Sequence, residues 1–176
     1  MKKVVIVSSS PRQGNSDALA DEFLKGAKAS GHDVVKINLR EKNIIHCQAC
    51  CDCYNIGHCV QGDDMNSLYD DIKSADVLVF ATPIYFGSIS GQLKTFLDRL
   101  YPIYQNLKAK QSYIIASCYQ DDINFINQSV FDIRRFLEDA GGIPISGIVY
   151  GQNTDEPRDI TEKQLKNAFN VGKQIE

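Results

Sequence analysis

The sequence predicts an α/β domain built as a three-layer sandwich, a five-stranded parallel sheet in the order 2-1-3-4-5 with helices on both faces. Three observations predict it. Short runs rich in Val and Ile recur along the chain, amphipathic stretches of helical period fall between them, and no repeat, low-complexity segment or linker divides the 176 residues. Near-continuous apolar strands are those buried on both faces, and right-handed crossovers deposit the intervening helices on either side of a parallel sheet. The length suits one domain, residues 1–176, and an apolar fraction of 43% fills one core without staples.

Val4-Val5-Ile6-Val7 is the first strand, followed by the polar loop Ser8-Ser9-Ser10-Pro11-Arg12-Gln13-Gly14-Asn15-Ser16. Leu19, Phe23, Leu24 and Ala27 then recur at helical spacing, with Asn15 or Ser16 placed to cap the start and Gly31 marking the exit. Val34-Val35-Lys36-Ile37 is the second strand. Residues 39–62 are long, cysteine-rich and without clear period, which marks a functional insertion. Residues 63–73 return as an amphipathic helix with Met65, Leu68 and Ile72 on one side. Val77-Leu78-Val79-Phe80-Ala81 is the third strand, which Pro83 is expected to end by removing a ladder donor. Leu93, Phe96, Leu97 and Leu100 define a helix, and Tyr113-Ile114-Ile115-Ala116 is the fourth strand. Ile123, Ile126, Val130, Ile133, Leu137 and Ala140 form one helical stripe, residues 145–150 the fifth strand, and a last helix starts at about Thr161. In this order the ligand crevice opens beside the carboxyl ends of strands 1 and 3, whose loops start at Ser8 and Thr82.

Nineteen Lys and Arg against 22 Asp and Glu give a net charge of -3, with no basic run that would neutralise a string of phosphates, so nucleic acid is excluded as a partner. No apolar run approaches the roughly 18 residues of a membrane span. Met1-Lys2-Lys3 leads into only a short apolar run, too short for a signal-peptide core, so a cytoplasmic protein is expected. Six cysteines in such a compartment read as thiols, metal ligands or redox groups rather than a disulfide framework.

The first loop supplies hydroxyls, a glycine, a guanidinium and the free amides of a helix start, which together solvate a phosphate without a metal. Arg12 suits paired charge-assisted bonds, Ser8, Ser10, Asn15 and Ser16 are candidate polar contacts, and Gly14 gives room. The plainer alternative is a polar loop whose serines only cap the helix. Competing nucleotide motifs are missing: there is no G-x-x-x-x-G-K-[ST] and no G-x-G-x-x-G. The segment Thr82-Pro83-Ile84-Tyr85-Phe86-Gly87 leaves the third strand with backbone amides suited to a flat heterocycle, although Tyr85 and Phe86 equally suit a core. Ser117-Cys118-Tyr119 should border the site from the other side.

Together with Cys47-Gln48-Ala49-Cys50, Asp63-Asp64-Met65, Ser88-Ile89-Ser90-Gly91-Gln92-Leu93-Lys94 and Asp98-Arg99, these loops resemble the NAD(P)H-dependent FMN reductase and iron-sulfur flavoprotein family over nearly the whole chain. The resemblance implies a flavodoxin-like fold holding FMN, with residues 83–87 along the isoalloxazine edge, in a homodimer or homotetramer. It implies an oxidoreductase in which flavin N5 takes a hydride from NAD(P)H and electrons then pass to a small acceptor such as a quinone, an azo or nitro compound, free flavin or a metal ion. No protein residue need act as acid or base. The alternative is an electron carrier that serves protein partners.

Cys47-x2-Cys50-x2-Cys53-x5-Cys59 comes close to the spacing that wraps a [4Fe-4S] cluster. The longer last spacing and the missing proline after Cys59 weigh toward reduced thiols instead. Zinc, with His46 or His58 as a ligand, is a third reading. Tyr101, Tyr104 and residues 39–62 suit either a subunit contact or the core.

Overall fold

The computed structural model describes residues 1–176. Its sheet contains β1 (Lys3–Ser8), β2 (Asp33–Asn38), β3 (Val77–Tyr85), β4 (Ser88–Ile89), β5 (Gln111–Ser117) and β6 (Ile145–Gly151). The parallel strands stand in the order β2-β1-β3-β5-β6, which is the expected 2-1-3-4-5. The count differs: the sheet has six strands, because the two-residue β4 folds back antiparallel on β3, Tyr85 opposite Ser88. Pro83 does not end the third strand. β1 stops at Ser8 opposite Ala81, so Pro83 stands where β5 is the only parallel neighbour, and a missing N–H is tolerated there.

The helices are α1 (Asn15–Ala29), α2 (Cys53–Ile56), α3 (Met65–Ser74), α4 (Gly91–Arg99), α5 (Ile123–Ser129), α6 (Phe131–Arg134) and α7 (Glu162–Lys173). Side chains alternate along a strand, so each strand feeds two cores. Val4, Ile6, Val79 and Ile115 meet Leu19, Phe23 and Ala168 of α1 and α7. Val5, Val7, Phe80 and Ile114 meet Leu68, Phe96 and Ile133 on the opposite face. The continuous helical stripe expected over 123–140 is interrupted. Ser129 Oγ donates back to the Phe125 carbonyl at 2.7 Å, a bond that bends helices, and Arg135–Ala140 winds as a π-helical turn. Ile126, Val130, Ile133 and Leu137 are buried as the stripe requires, but Ile123 and Ala140 at its two ends are exposed, and the helix is not continuous.

Residues 39–62 contain one 3-10 turn (Leu39–Glu41) and the single-turn α2, and are mostly exposed. Asp63 precedes α3 rather than opening it and pairs with Arg99. No helix is long and apolar enough to cross a membrane.

Candidate functional site

Strand order reverses between β1 and β3, and the loops leaving β1, β3, β5 and β6 converge on one cleft. The first loop contributes Ser10, Arg12, Gly14, Asn15 and Ser16, and the end of β3 contributes Pro83, Ile84 and Tyr85. Ser117, Cys118 and Tyr119 form the opposite wall, with Thr154 and Asp155 completing it.

At the phosphate end, α1 begins without a side-chain cap, and the Ser16 Oγ is buried with no hydrogen-bond partner. Buried hydroxyls are normally satisfied, and uncapped helix starts carry free amides and positive potential. An unsatisfied donor beside such amides matches the chemistry of a phosphate. The residues therefore fit the expected mononucleotide.

Ser8 and Thr82, expected at the ligand, have their side chains turned into the protein. Ser8 Oγ donates to Asp17 at 2.7 Å, and Asp17 also pairs with Lys36 at 2.8 Å and Arg40 at 3.1 Å. Burial alone would raise the Asp17 pKa, but the Lys36 and Ser8 hydrogen bonds and the two cations hold it below its ordinary value. Thr82 Oγ1 donates to the Pro83 carbonyl and accepts from the Ser90 amide, 2.9 and 3.1 Å. Ser90 Oγ in turn caps α4 through Leu93 N and bonds Ser9 Oγ at 2.9 Å. These groups hold the loops; they do not line the cleft.

Asn15 lines the cleft, but its amide is engaged elsewhere: it bonds the backbone of Glu156, Arg158 and Ile160. Arg12 donates to the Asp155 carbonyl at 3.3 Å. The sequence reading missed the 152–160 segment, including Thr154 and Asp155. Its signal was present: a polar stretch leaving the carboxyl end of the last strand, on the same rim as the other loops.

Tyr85 and Tyr119 are 48% and 69% exposed at the cleft, so neither is a core aromatic. Cys118 is buried, its thiol pushed up by that burial and bonded to the Gln120 carbonyl at 3.3 Å. Phe86 and Gly87 stand outside the cleft as the two-residue turn between β3 and β4, with φ of 51° and 75°. Both central residues of a type I′ turn need positive φ, a region that costs a bulky side chain about 1–2 kcal/mol and that Asn tolerates. Phe86 is fully exposed and loses no packing on replacement. Phe86→Asn should therefore raise stability by about 1 kcal/mol in thermal or urea unfolding; an unchanged or lower Tm would contradict this reading of the turn.

Of the cysteines, Cys47, Cys50 and Cys51 are exposed, Cys53 is half-buried and Cys59 is buried; none forms a disulfide. Burial pushes the Cys53 thiol up, and Cys59, Cys50 and Cys47 act in the same direction. No three His, Cys, Asp or Glu side chains converge as ligands, His46 and His58 included. The four cysteines as they stand do not form a cluster or zinc site, and no chemistry is routed through one.

A doubly wound parallel sheet with a phosphate-type loop at its switch point is a flavodoxin-like mononucleotide fold. The chain belongs to the NADPH-dependent FMN reductase family, whose description matches residues 1–138. It is 30% identical over 175 residues, 99% of this chain and 79% of that protein, to an iron-sulfur flavoprotein of Archaeoglobus fulgidus. In fold it is similar to the NAD(P)H:quinone oxidoreductase from Methanothermobacter marburgensis, with a TM-score of 0.76 at 16% identity over 99% of each chain. An azoreductase from Bacillus anthracis gives 0.73 at 16% identity, over 99% of this chain and 100% of that one. Membership makes the protein an oxidoreductase and implies FMN and a nicotinamide coenzyme.

Proposed function

We propose that the protein holds FMN by its phosphate at Ser10, Arg12, Gly14 and Ser16, with the rings along Pro83, Ile84, Tyr85, Ser117, Cys118 and Tyr119. It oxidises NAD(P)H and reduces a small acceptor: a quinone, an azo or nitro compound, free flavin or a metal ion. The observation that carries this reading is the buried, unpartnered Ser16 hydroxyl at the uncapped start of α1. When bound, FMN supplies the redox chemistry, hydride exchange with a nicotinamide at N5 and onward delivery of one or two electrons.

The chain's own part is binding and orientation. Arg12, exposed at the loop tip, supplies a charge-assisted bond, and Ser16 supplies a donor that already lies out of water. Tyr85 and Tyr119 keep apolar surface at the cleft, where a nicotinamide and then an acceptor can stack in turn. Ping-pong kinetics follow from one shared face. The Cys118 thiol, held protonated by burial, offers no competing nucleophile.

Titration of apo-protein with FMN should quench flavin fluorescence, and Arg12→Ala should weaken that binding about 10- to 100-fold, the effect of one charge-assisted bond. NADH or NADPH should then bleach the bound flavin. Protein that FMN neither quenches nor protects thermally would refute the site; bound flavin that neither coenzyme reduces would refute the reductase reading.

A second reading, an electron carrier that serves protein partners, is favoured by the name of the Archaeoglobus relative, an iron-sulfur flavoprotein. Slow oxidation of either coenzyme by the FMN-loaded protein, with rapid electron exchange with a redox protein, would select it. We further propose a homodimer or homotetramer, supported by the clustered rings of Tyr54, Tyr101 and Tyr104, with centroids 5.1 and 5.5 Å apart on the surface. We also propose a cytoplasmic setting, in which a chain with six cysteines is expected to keep them as thiols.

A further inference from the structure

Ser9 and Thr82 are fully buried, Ser90 is 3% exposed, and none of the three lines the cleft. Two of them stand one residue before a group that does: Ser9 precedes Ser10 at the root of the first loop, and Thr82 precedes Pro83 at the root of the loop leaving β3. Ser90 caps α4 behind both.

Their hydroxyls are wired in two runs that leave the start of α4. Ser90 Oγ accepts from the Leu93 amide at 3.3 Å and donates to Ser9 Oγ at 2.9 Å, and Ser9 Oγ donates in turn to the Ala81 carbonyl at 3.0 Å. From the same helix start the Ser90 amide donates to Thr82 Oγ1 at 3.1 Å, and Thr82 Oγ1 donates to the Pro83 carbonyl at 2.9 Å. A hydroxyl has one proton to give, so each of the three is committed in a single direction. The runs also close into a ring. The Ser9 amide donates to the Ala81 carbonyl at 2.9 Å, and Ala81 is covalently joined to Thr82. The β1–β3 register ends at Ser8 opposite Ala81, and past that point these side chains set the spacing between the two loops.

We infer that Ser9, Thr82 and Ser90 are positioning residues that couple the two ends of the cleft, so that filling the phosphate end raises the affinity of the ring end. The inference rests on the flavin reading above. An anion held at Ser10, Arg12 and Ser16 orders the first loop down to its root at Ser9. Through Ser90 that order reaches Thr82 and the Pro83 carbonyl, so the second loop has less freedom left to lose when a flat heterocycle docks on it. Buried hydroxyl chains transmit such an effect because each bond polarises the next and a bond left unmade costs its full desolvation. By linkage, the rings tighten the phosphate end by the same factor.

The test separates the two ends: riboflavin supplies the rings without the phosphate, and inorganic phosphate supplies the anion without the rings. Followed by flavin fluorescence on apo-protein, riboflavin should bind about 10-fold tighter in saturating phosphate than in chloride of equal ionic strength, within the usual range for coupled sites. In Ser9→Ala and in Thr82→Val that factor should fall to about 1, whereas Thr82→Ser, which keeps the hydroxyl, should retain it. Neither of the first two variants removes the Ser90 cap of α4, and either suffices if the other does not fold. A role confined to stability would lower the Tm and leave the factor unmoved. Riboflavin indifferent to phosphate in the wild type, riboflavin that does not bind where FMN does, or a factor preserved in both hydroxyl-lacking variants would overturn the inference and leave the flavin reading intact. A wild type that binds neither riboflavin nor FMN would overturn both.

Discussion

Arg99→Met or Asp63→Asn should lower stability by about 3–5 kcal/mol, the cost of breaking a buried ion pair by removing one partner. The side chains are 1% and 0% exposed, and the guanidinium meets both carboxylate oxygens, at 2.7 and 2.9 Å. The same carboxylate accepts from the amides of Ile45 and Met65, and Arg99 also donates to the Ile45 carbonyl. Ile45 and Asp63 bracket the run from Cys47 to Cys59, so one ion pair closes the cysteine segment at both ends and ties it to α4. Either variant should therefore expose Cys59, now buried, and speed its alkylation by a thiol reagent under native conditions. A variant that melts like the wild type, with Cys59 still protected, would show that other contacts hold the segment.

The pair also gives a pH dependence. Burial alone would raise the Asp63 pKa, but the Arg99 hydrogen bonds, the Ile45 and Met65 amides and the Arg99 charge bring it below its ordinary value. Its folded pKa is thus lower than its unfolded one, about 3.9, so the unfolded chain binds more protons between the two values. The stabilisation is complete above the unfolded pKa and is lost as pH falls through the folded one. Asp17, lowered in the same direction, adds to the same acid window. Urea melts taken through that window should show a shallower slope in Asp63→Asn than in the wild type.

Gly172→Ala and Gly26→Ala should each cost about 3 kcal/mol or more, the upper end for overpacking against atoms that cannot move aside. A Cβ at Gly26 would lie 2.0 Å from the Phe169 carbonyl oxygen, and one at Gly172 would lie 2.1 Å from that of Phe23. Both obstacles are helix backbone, so α1 and α7 cross with their main chains nearly touching. Gly91→Ala is the control, since nothing lies within 4 Å of its Cβ position and its φ is ordinary. Thermal unfolding should separate the two helix-crossing variants from the control; a mild effect at Gly172 would mean that α7 can slide away from α1 at little cost. That crossing sets the position of α1, and hence of the Asn15–Ser16 turn at its start.

The α1–α7 crossing also marks where sequence reading stops. Gly26 and Gly172 look like ordinary helical glycines until the two helices are laid together. The strands were readable because Val4-Val5-Ile6-Val7 and its counterparts carry their burial in their composition. The strand order followed from the five-stranded doubly wound pattern, to which crossovers of one hand restrict such a sheet only in part. The loop from Ser8 to Ser16 could be placed at the switch point by the same logic. The antiparallel turn at Phe86 could not, because Phe gives no local signal for positive φ. The break after Ser129 escaped too: the buried stripe from Ile126 to Leu137 has helical period whether or not the backbone is continuous.

Local patterning was enough to specify the layers, the order of the parallel strands and the rim on which a ligand would sit, because apolar period and chain handedness act over a few residues at a time. Which polar side chain serves the ligand and which serves the protein was decided by folding. Ser8 is taken by Asp17, Thr82 by Ser90, Asn15 by the backbone of residues 156–160 and Asp63 by Arg99, while Ser16 alone among these is left with a buried, unused donor. A hydrogen bond is settled by whichever partner arrives within about 3 Å, and the partners of Asn15 and Asp63 come from far along the chain.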